Sequence, residues 1–237
     1  DVSLTAGHPD HTLLRQRGET TGFEDITYHR GMKRYLIILE AMVFDAETYK
    51  PNIEEYDEGF RYLEYAWVDF ALEGTNKGIE GITYIQRDNQ DYVLGLCEGN
   101  KCRSGKAGRK PGGGRIQILQ RGKLQWDHVG TIKLPKSVAF EDYACLDADG
   151  GRIAIASQMN SALWVGQLQD DRWEWVDDGK IYQFPRDEAG KRVYRNIEGV
   201  NWVTSKQLVF VSDKCKPGKK SVKCSEKDQS IHTFNLP

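Results

Sequence analysis

Gly22-Phe23-Glu24-Asp25-Ile26 returns as Gly78-Ile79-Glu80-Gly81-Ile82, as Ala139-Phe140-Glu141-Asp142-Tyr143 and as Asn196-Ile197-Glu198-Gly199-Val200. The four glutamates stand 56, 61 and 57 residues apart. A unit repeating at such a period cannot bury its apolar face alone, so its copies must stack; four-stranded propeller blades with generous loops fit. A second signal trails each first one: Tyr35 to Glu40 (YLIILE), Tyr92 to Glu98 (YVLGLCE), Ile153 to Gln158 (IAIASQ) and Leu208 to Asp213 (LVFVSD). Each is a short apolar run closed by an acid or an amide. Bounded runs of this length read as strands buried on both faces, as stacked blades require.

Further strands follow outward. Residues 115–120 and 162–167 read as third strands, and 126–134 and 173–184 as outer fourth strands. Residues 53–72 are rich in strand formers and read as the outer part of blade one. Residues 230–234 give the last blade its third strand, after which the chain stops. Thr12-Leu13-Leu14-Arg15-Gln16, within residues 10–18, could supply the missing strand and close the ring. Membership of a larger ring is the competing account. The expectation is an all-β chain, one β-propeller domain over 1–237, with blades about 20–74, 75–136, 137–193 and 194–237.

Composition narrows the functions. Hydrophobic residues make up 39% and charged residues 29%, enough for a packed core. The net charge of −2 lacks the basic excess of a general nucleic-acid binder. No apolar run approaches the ~18 residues of a membrane span. The sequence opens at Asp1 without a leader, which fits a processed or truncated product from which a secretory signal has been removed. Five cysteines point the same way. Cys97 and Cys102 close one small loop and Cys215 and Cys224 another, which suits local disulfides in an oxidising, extracellular compartment. Metal binding by these pairs competes, but no histidine is near them. Cys145 reads as a buried free thiol, or as the partner of a segment outside this chain.

Geometry turns the repeat into chemistry. The first glutamate opens strand one of its blade and the second acid closes strand two. Antiparallel pairing puts both at one edge of the sheet. Glu24, Glu40, Glu80, Glu98, Glu141, Gln158, Glu198 and Asp213 are therefore expected at one mouth of the channel. Crowded carboxylates must take up protons, pair with cations or bind metal, and oxygen-rich sites favour Ca2+. Lys77 and Arg195 each precede a ring glutamate by three residues. They read as salt-bridge partners or as phosphate contacts. The stretch from Lys101 to Arg115 holds six cations and no acid. Its Arg103, Lys106 and Arg109 read as a solvated hairpin tip or as an anion-contacting flap. It lacks P-loop spacing, and the chain lacks a Gly-x-Ser-x-Gly elbow. His8 and His11 lie near the terminus, and His29 ends a first strand away from the mouth.

Residues 139–143, then Asp147 to Asn160 (DADGGRIAIASQMN) and Leu163-Trp164, resemble a blade of the calcium-dependent β-propeller phytases. Glu198-Gly199-Val200 and Ser212-Asp213 are similar to the wider phytase-like and esterase-like propellers. Met159 stands where the phytase pattern has glycine, and those enzymes usually have six blades. The resemblance implies Ca2+ in the carboxylate ring, offsetting the charge of a phosphate or other ester and supplying the attacking water. Glu80, Glu198, Lys77 and Arg195 would then carry catalysis. A non-catalytic propeller that binds a protein or polysaccharide, with the acidic ring structural, is the alternative. The substrate class is a small anionic ester in the first case; neither reading involves nucleic acid or a membrane span.

Overall fold

The computed structural model describes residues 22–74, 77–98, 113–214 and 229–237. It is a four-blade β-propeller. Blade 1 holds β1 (Phe23–His29), β2 (Arg34–Val43), β3 (Tyr49–Tyr56) and β4 (Tyr62–Trp67). Blade 2 holds β5 (Ile79–Arg87), β6 (Gln90–Cys97), β7 (Arg115–Arg121) and β8 (Trp126–Lys133). Blade 3 holds β9 (Cys145–Asp149), β10 (Arg152–Ser157), β11 (Ala162–Gln167) and β12 (Lys180–Gln183). Blade 4 holds β13 (Ile197–Thr204), β14 (Gln207–Ser212) and β15 (Ile231–Asn235). Every blade is an antiparallel meander, its first strand innermost. Among the described residues no helix is long and apolar enough to cross a membrane.

Two expectations about strands need correction. The outer strand of blade 3 is only Lys180–Gln183; residues 173–179 form a loop instead. That loop folds its two tryptophans inward: Trp175 stacks edge-on against Trp164 and its Nε1 donates to the Lys133 carbonyl at 2.8 Å. The inner strand of blade 3 begins at Cys145 and not near Glu141, for a reason that bears on the site. The N-terminal residues 10–18 lie outside the described residues, as do His8 and His11. Blade 4 shows three strands among the described residues.

The core lies between blades, because second strands are apolar on both faces. Leu36, Ile38 and Ile53 of blade 1 meet Ile79, Ile82 and Val93 of blade 2. Leu94, Leu96 and Ile118 meet Leu146, Ile155 and Trp164. Ala154, Ala156 and Leu163 meet Ile197, Leu208 and Phe210. Burying one such large side chain is worth roughly 1.5–3 kcal/mol. Polar bonds fix the stacking. Asp25 Oδ2 accepts the Ile82 N–H at 2.8 Å, and Thr83 Oγ1 donates to Asp147 Oδ1 at 2.8 Å. Arg152 lies over Trp202 at 4.0 Å and donates to the Ser205 carbonyl.

Candidate functional site: an acidic channel mouth

Three inner strands carry a β-bulge at the repeated glutamate. Phe23 pairs with Leu39 and Asp25 with Ile38, leaving Glu24 between them unpaired. Glu80 is skipped likewise between Ile79 and Gly81, and Glu198 between Ile197 and Gly199. A bulge re-aims the extra residue. Here it turns a glutamate into the channel. The second acid follows directly on Leu39, Cys97 or Ser212, the partner of the residue before the bulge, and stands beside it. Glu24, Glu40, Glu80, Glu98, Glu198 and Asp213 line one cavity of about 540 Å³, with Lys77, Gln158, Phe23 and Ala144.

Blade 3 departs from the pattern, and its register shows how. Cys145 pairs with Ala156 as Asp25 pairs with Ile38, and the Ala144 N–H reaches the Ala156 carbonyl at 3.0 Å. Ala144 therefore holds the place of Glu24. Glu141 lies three residues earlier, in an exposed loop, where its N–H donates to Asn160 Oδ1. Its placement in the ring is thereby corrected. The neighbouring Asp142 was the residue to notice. It is buried, accepts the Ser157 hydroxyl at 2.5 Å and the Met159 N–H, and faces Glu98, Lys77 and Glu198 electrostatically.

Inside the mouth the carboxylates are crowded. Glu40, Glu80 and Glu98 each offer an oxygen, and these oxygens lie within 4.8 Å of one another. Burial and the charge of neighbouring Glu40 push Glu24 up to about 7. Burial, together with Glu40, Glu24 and Glu98, pushes Glu80 up to about 11. Burial and nearby Asp142 and Asp213 hold Glu198 at about 7. Partial relief comes from within the protein. Lys77 pairs with Glu98, the Gly78 N–H donates to Glu40 at 2.7 Å, and Gln158 Nε2 donates to Glu198 at 3.0 Å. Burial lowers the Lys77 ammonium, but the pair with Glu98 outweighs it and raises it overall.

Lys77 and Arg195 sit alike in sequence and differently in space. Lys77 itself takes the left-handed conformation, at φ 73°, whereas in blade 4 it is Asn196, one residue later, at φ 53°. A side chain leaves the backbone in a new direction when the turn shifts by one residue. Lys77 lines the cavity, but it pairs with Glu98, not with Glu80 three residues on. Arg195 is not among the lining residues; its Nε is buried without a hydrogen-bond partner. The expected Arg195–Glu198 pair is not made.

Arg103, Lys106 and Arg109 lie outside the described residues, as do Cys102, Cys215 and Cys224. Cys97 is buried, and Cys102, its expected partner, lies outside the described residues. Cys145 is a buried free thiol, as expected, and burial raises its pKa well above the ordinary value. His29 ends β1 at the opposite edge, stacked on Tyr84.

No family model matches the chain, the phytase-like propellers included, and no curated protein matches it. Among solved structures, it is similar to the glutaminyl cyclase of Myxococcus xanthus at 10% identity and a TM-score of 0.43, over 81% of this chain and 66% of that one. It is also similar to the PQQ-bound aldose sugar dehydrogenase of Streptomyces coelicolor at 12% identity and a TM-score of 0.46, over 94% of this chain and 81% of that one. The chain thus spans about two thirds of the glutaminyl cyclase.

Proposed function

We propose that this propeller binds a divalent cation, Ca2+ first, at its acidic mouth, and uses it to hold an anionic ligand such as a phosphate or other ester. The observation that carries the reading is the Glu40, Glu80 and Glu98 triad, three oxygens within 4.8 Å inside a cavity lined by six carboxylates. An all-oxygen donor set suits a hard cation that accepts 6 to 8 oxygens. Glu24, Glu198 and Asp213 would complete its surroundings. A bound cation supplies positive charge to an incoming anionic oxygen. Lys77 is the one protein cation among the lining residues, placed to touch the same ligand. Ester hydrolysis is the activity to assay. The two local cysteine pairs, Cys97 with Cys102 and Cys215 with Cys224, closed as disulfides, would go with an oxidising compartment, secreted or extracellular.

The non-catalytic reading draws on a specific observation as well. Lys77–Glu98 and Gln158–Glu198 already satisfy part of the ring, as a purely structural ring would. Calorimetric titration with Ca2+, alongside melting temperature with and without chelator, tests the cation. At a hundredfold excess over Kd the expected stabilisation is about 2.7 kcal/mol. No heat and no shift would overturn the reading. Turnover of a phosphate-ester panel that appears only with Ca2+ and falls at least tenfold in Lys77→Ala would assign hydrolysis; Ca2+ binding without turnover would assign the scaffold.

A further inference from the structure

The turn between β1 and β2, Arg30 to Lys33, is held by a bond that only a neutral histidine can make. The Met32 N–H donates to His29 Nδ1 at 3.1 Å, so that nitrogen carries its lone pair and the ring proton sits on Nε2. His29 is 2% exposed, so water has little access to replace the bond if it breaks. The ring stacks on Tyr84 at 4.7 Å, with Trp126 at 6.1 Å. Lys33 closes the turn in the left-handed conformation, at φ 52°, and its N–H donates to the Arg30 carbonyl at 3.3 Å. A residue with a side chain adopts that conformation at a cost, so the turn depends on its bonds.

Blade 2 reaches the same turn. A Cβ on Gly31 would stand 1.9 Å from Asp91 Oδ2, so the Asp91 carboxylate lies against the turn backbone. Asp91 Oδ1 accepts the Tyr84 hydroxyl at 2.7 Å and Gln86 Nε2 at 3.1 Å. The titratable and charged groups around the imidazole come from every element packed there. Arg34 on β2 stands opposite His29, and Glu55 on β3 holds both Arg34 and Arg121 of β7. Glu64 on β4 pairs with the same two arginines, Tyr84 and Asp91 come from β5 and β6, and Arg30 follows in the turn. Burial lowers the His29 pKa below its ordinary 6.5; Asp91 and Glu55 oppose that shift, and Arg34 adds to it.

We propose that the β1–β2 turn is an acid-released latch, closed while His29 Nδ1 accepts the Met32 N–H and open once that nitrogen takes a proton. Protonation sets two donors face to face, and the bond becomes a repulsion. Asp91, the foremost acidic influence on His29, is the acceptor offered in exchange. Arg30 and Gly31 of the turn also wall a cavity of about 420 Å³ with Tyr84, Gln86 and Asp149, so release reshapes that cavity. A histidine held neutral by burial takes its proton at lower pH than in the unfolded chain. The latch is therefore whole above about pH 6.5 and is lost as pH falls from there toward the folded value.

Hydrogen exchange of the Met32 amide, read by NMR as a protection factor at about pH 7.5 and about pH 5, tests this. Protection should fall about fivefold in acid, the worth of one hydrogen bond, while a ladder amide such as Leu94 keeps its own. The His29 imidazole, identified by the signal lost in His29→Asn, should carry its proton on Nε2 and titrate below 6.5. Asparagine offers the turn an acceptor that does not titrate, so His29→Asn should protect Met32 equally at both pH values. Where that variant does not fold, the parent's exchange and titration decide. Met32 protection unchanged in the parent, an imidazole that titrates at or above 6.5, or an acid loss that persists in His29→Asn overturns the proposal.

Discussion

Thr83→Val is the sharpest probe of how the blades are held. Thr83 is 2% exposed, and valine has nearly its shape, so packing between blades 2 and 3 is conserved. Two hydrogen bonds are lost: Thr83 Oγ1 to Asp147 at 2.8 Å, and Ala148 N–H to Thr83 Oγ1 at 3.2 Å. A bond to an acidic group is worth about 1.5–3 kcal/mol, and a buried N–H left unpaired costs about 1–3 kcal/mol. The Ala148 amide is only partly buried, so the lower half of that range applies. The combined loss is about 2.5–5 kcal/mol. For a domain of this size each kcal/mol moves Tm by about 2–4 °C, so a fall of roughly 5–20 °C is expected. Thr27→Val is the internal control. It loses one partly buried bond, from Tyr84 N–H at 3.1 Å, and should cost about 1 kcal/mol. Differential scanning calorimetry on the two variants reads the comparison. Equal shifts in both, or a Thr83→Val melt within 2 °C of the parent, would refute the polar-connector account and leave apolar burial alone in charge of blade stacking.

Glu80, held up to about 11 by burial and its acidic neighbours, is protonated in the metal-free protein, so Glu80→Gln should leave the Tm without Ca2+ almost unmoved while the Ca2+-induced shift shrinks; thermal melts with and without chelator read both. Lys77→Ala strands Glu98 beside Glu40 and Glu80, so the metal-free protein should lose about 1 kcal/mol and gain more than the parent from Ca2+ in the same melts. Asp147 is held above its ordinary pKa by burial, against three lowering hydrogen bonds. A carboxyl raised on folding binds a proton that the unfolded chain has released. Its stabilisation is therefore full below about pH 4 and is lost as pH rises through the folded value; Asp147→Asn should flatten that part of a urea-midpoint profile. Cys145, fully buried, should stay unlabelled by a thiol reagent in the native protein and react only in denaturant, as peptide mapping would read.

The repeat was legible because a glutamate at a bulge is a local event: one residue between two apolar positions, turned by the backbone into the channel. Glu24, Glu80 and Glu198, with Glu40, Glu98 and Asp213, could be placed at the mouth from strand polarity alone. Blade 3 misled for a physical reason. Phe140-Glu141-Asp142 copies the letters of the motif, but Ala144 holds the place of the bulged glutamate there, and only the pairing of Cys145 with Ala156 reveals the offset of three residues. Contacts that reach between blades were hidden, because Thr83 and Asp147 stand 64 residues apart, and Asp147 and Trp202 55, and each pair meets only after stacking. Lys77 and Arg195 share a spacing from their glutamates, yet a left-handed residue displaced by one position sends one cation into the acids and the other away. Spacing along the chain decides direction only where the backbone conformation repeats with it. The same reasoning bears on blade 3 as part of the ring. With Ala144 and Gln158 in place of two acids, that quadrant of the lining is neutral. A cation would therefore settle toward blades 1 and 2, where Glu40, Glu80 and Glu98 converge and Lys77 is the one group it must share them with.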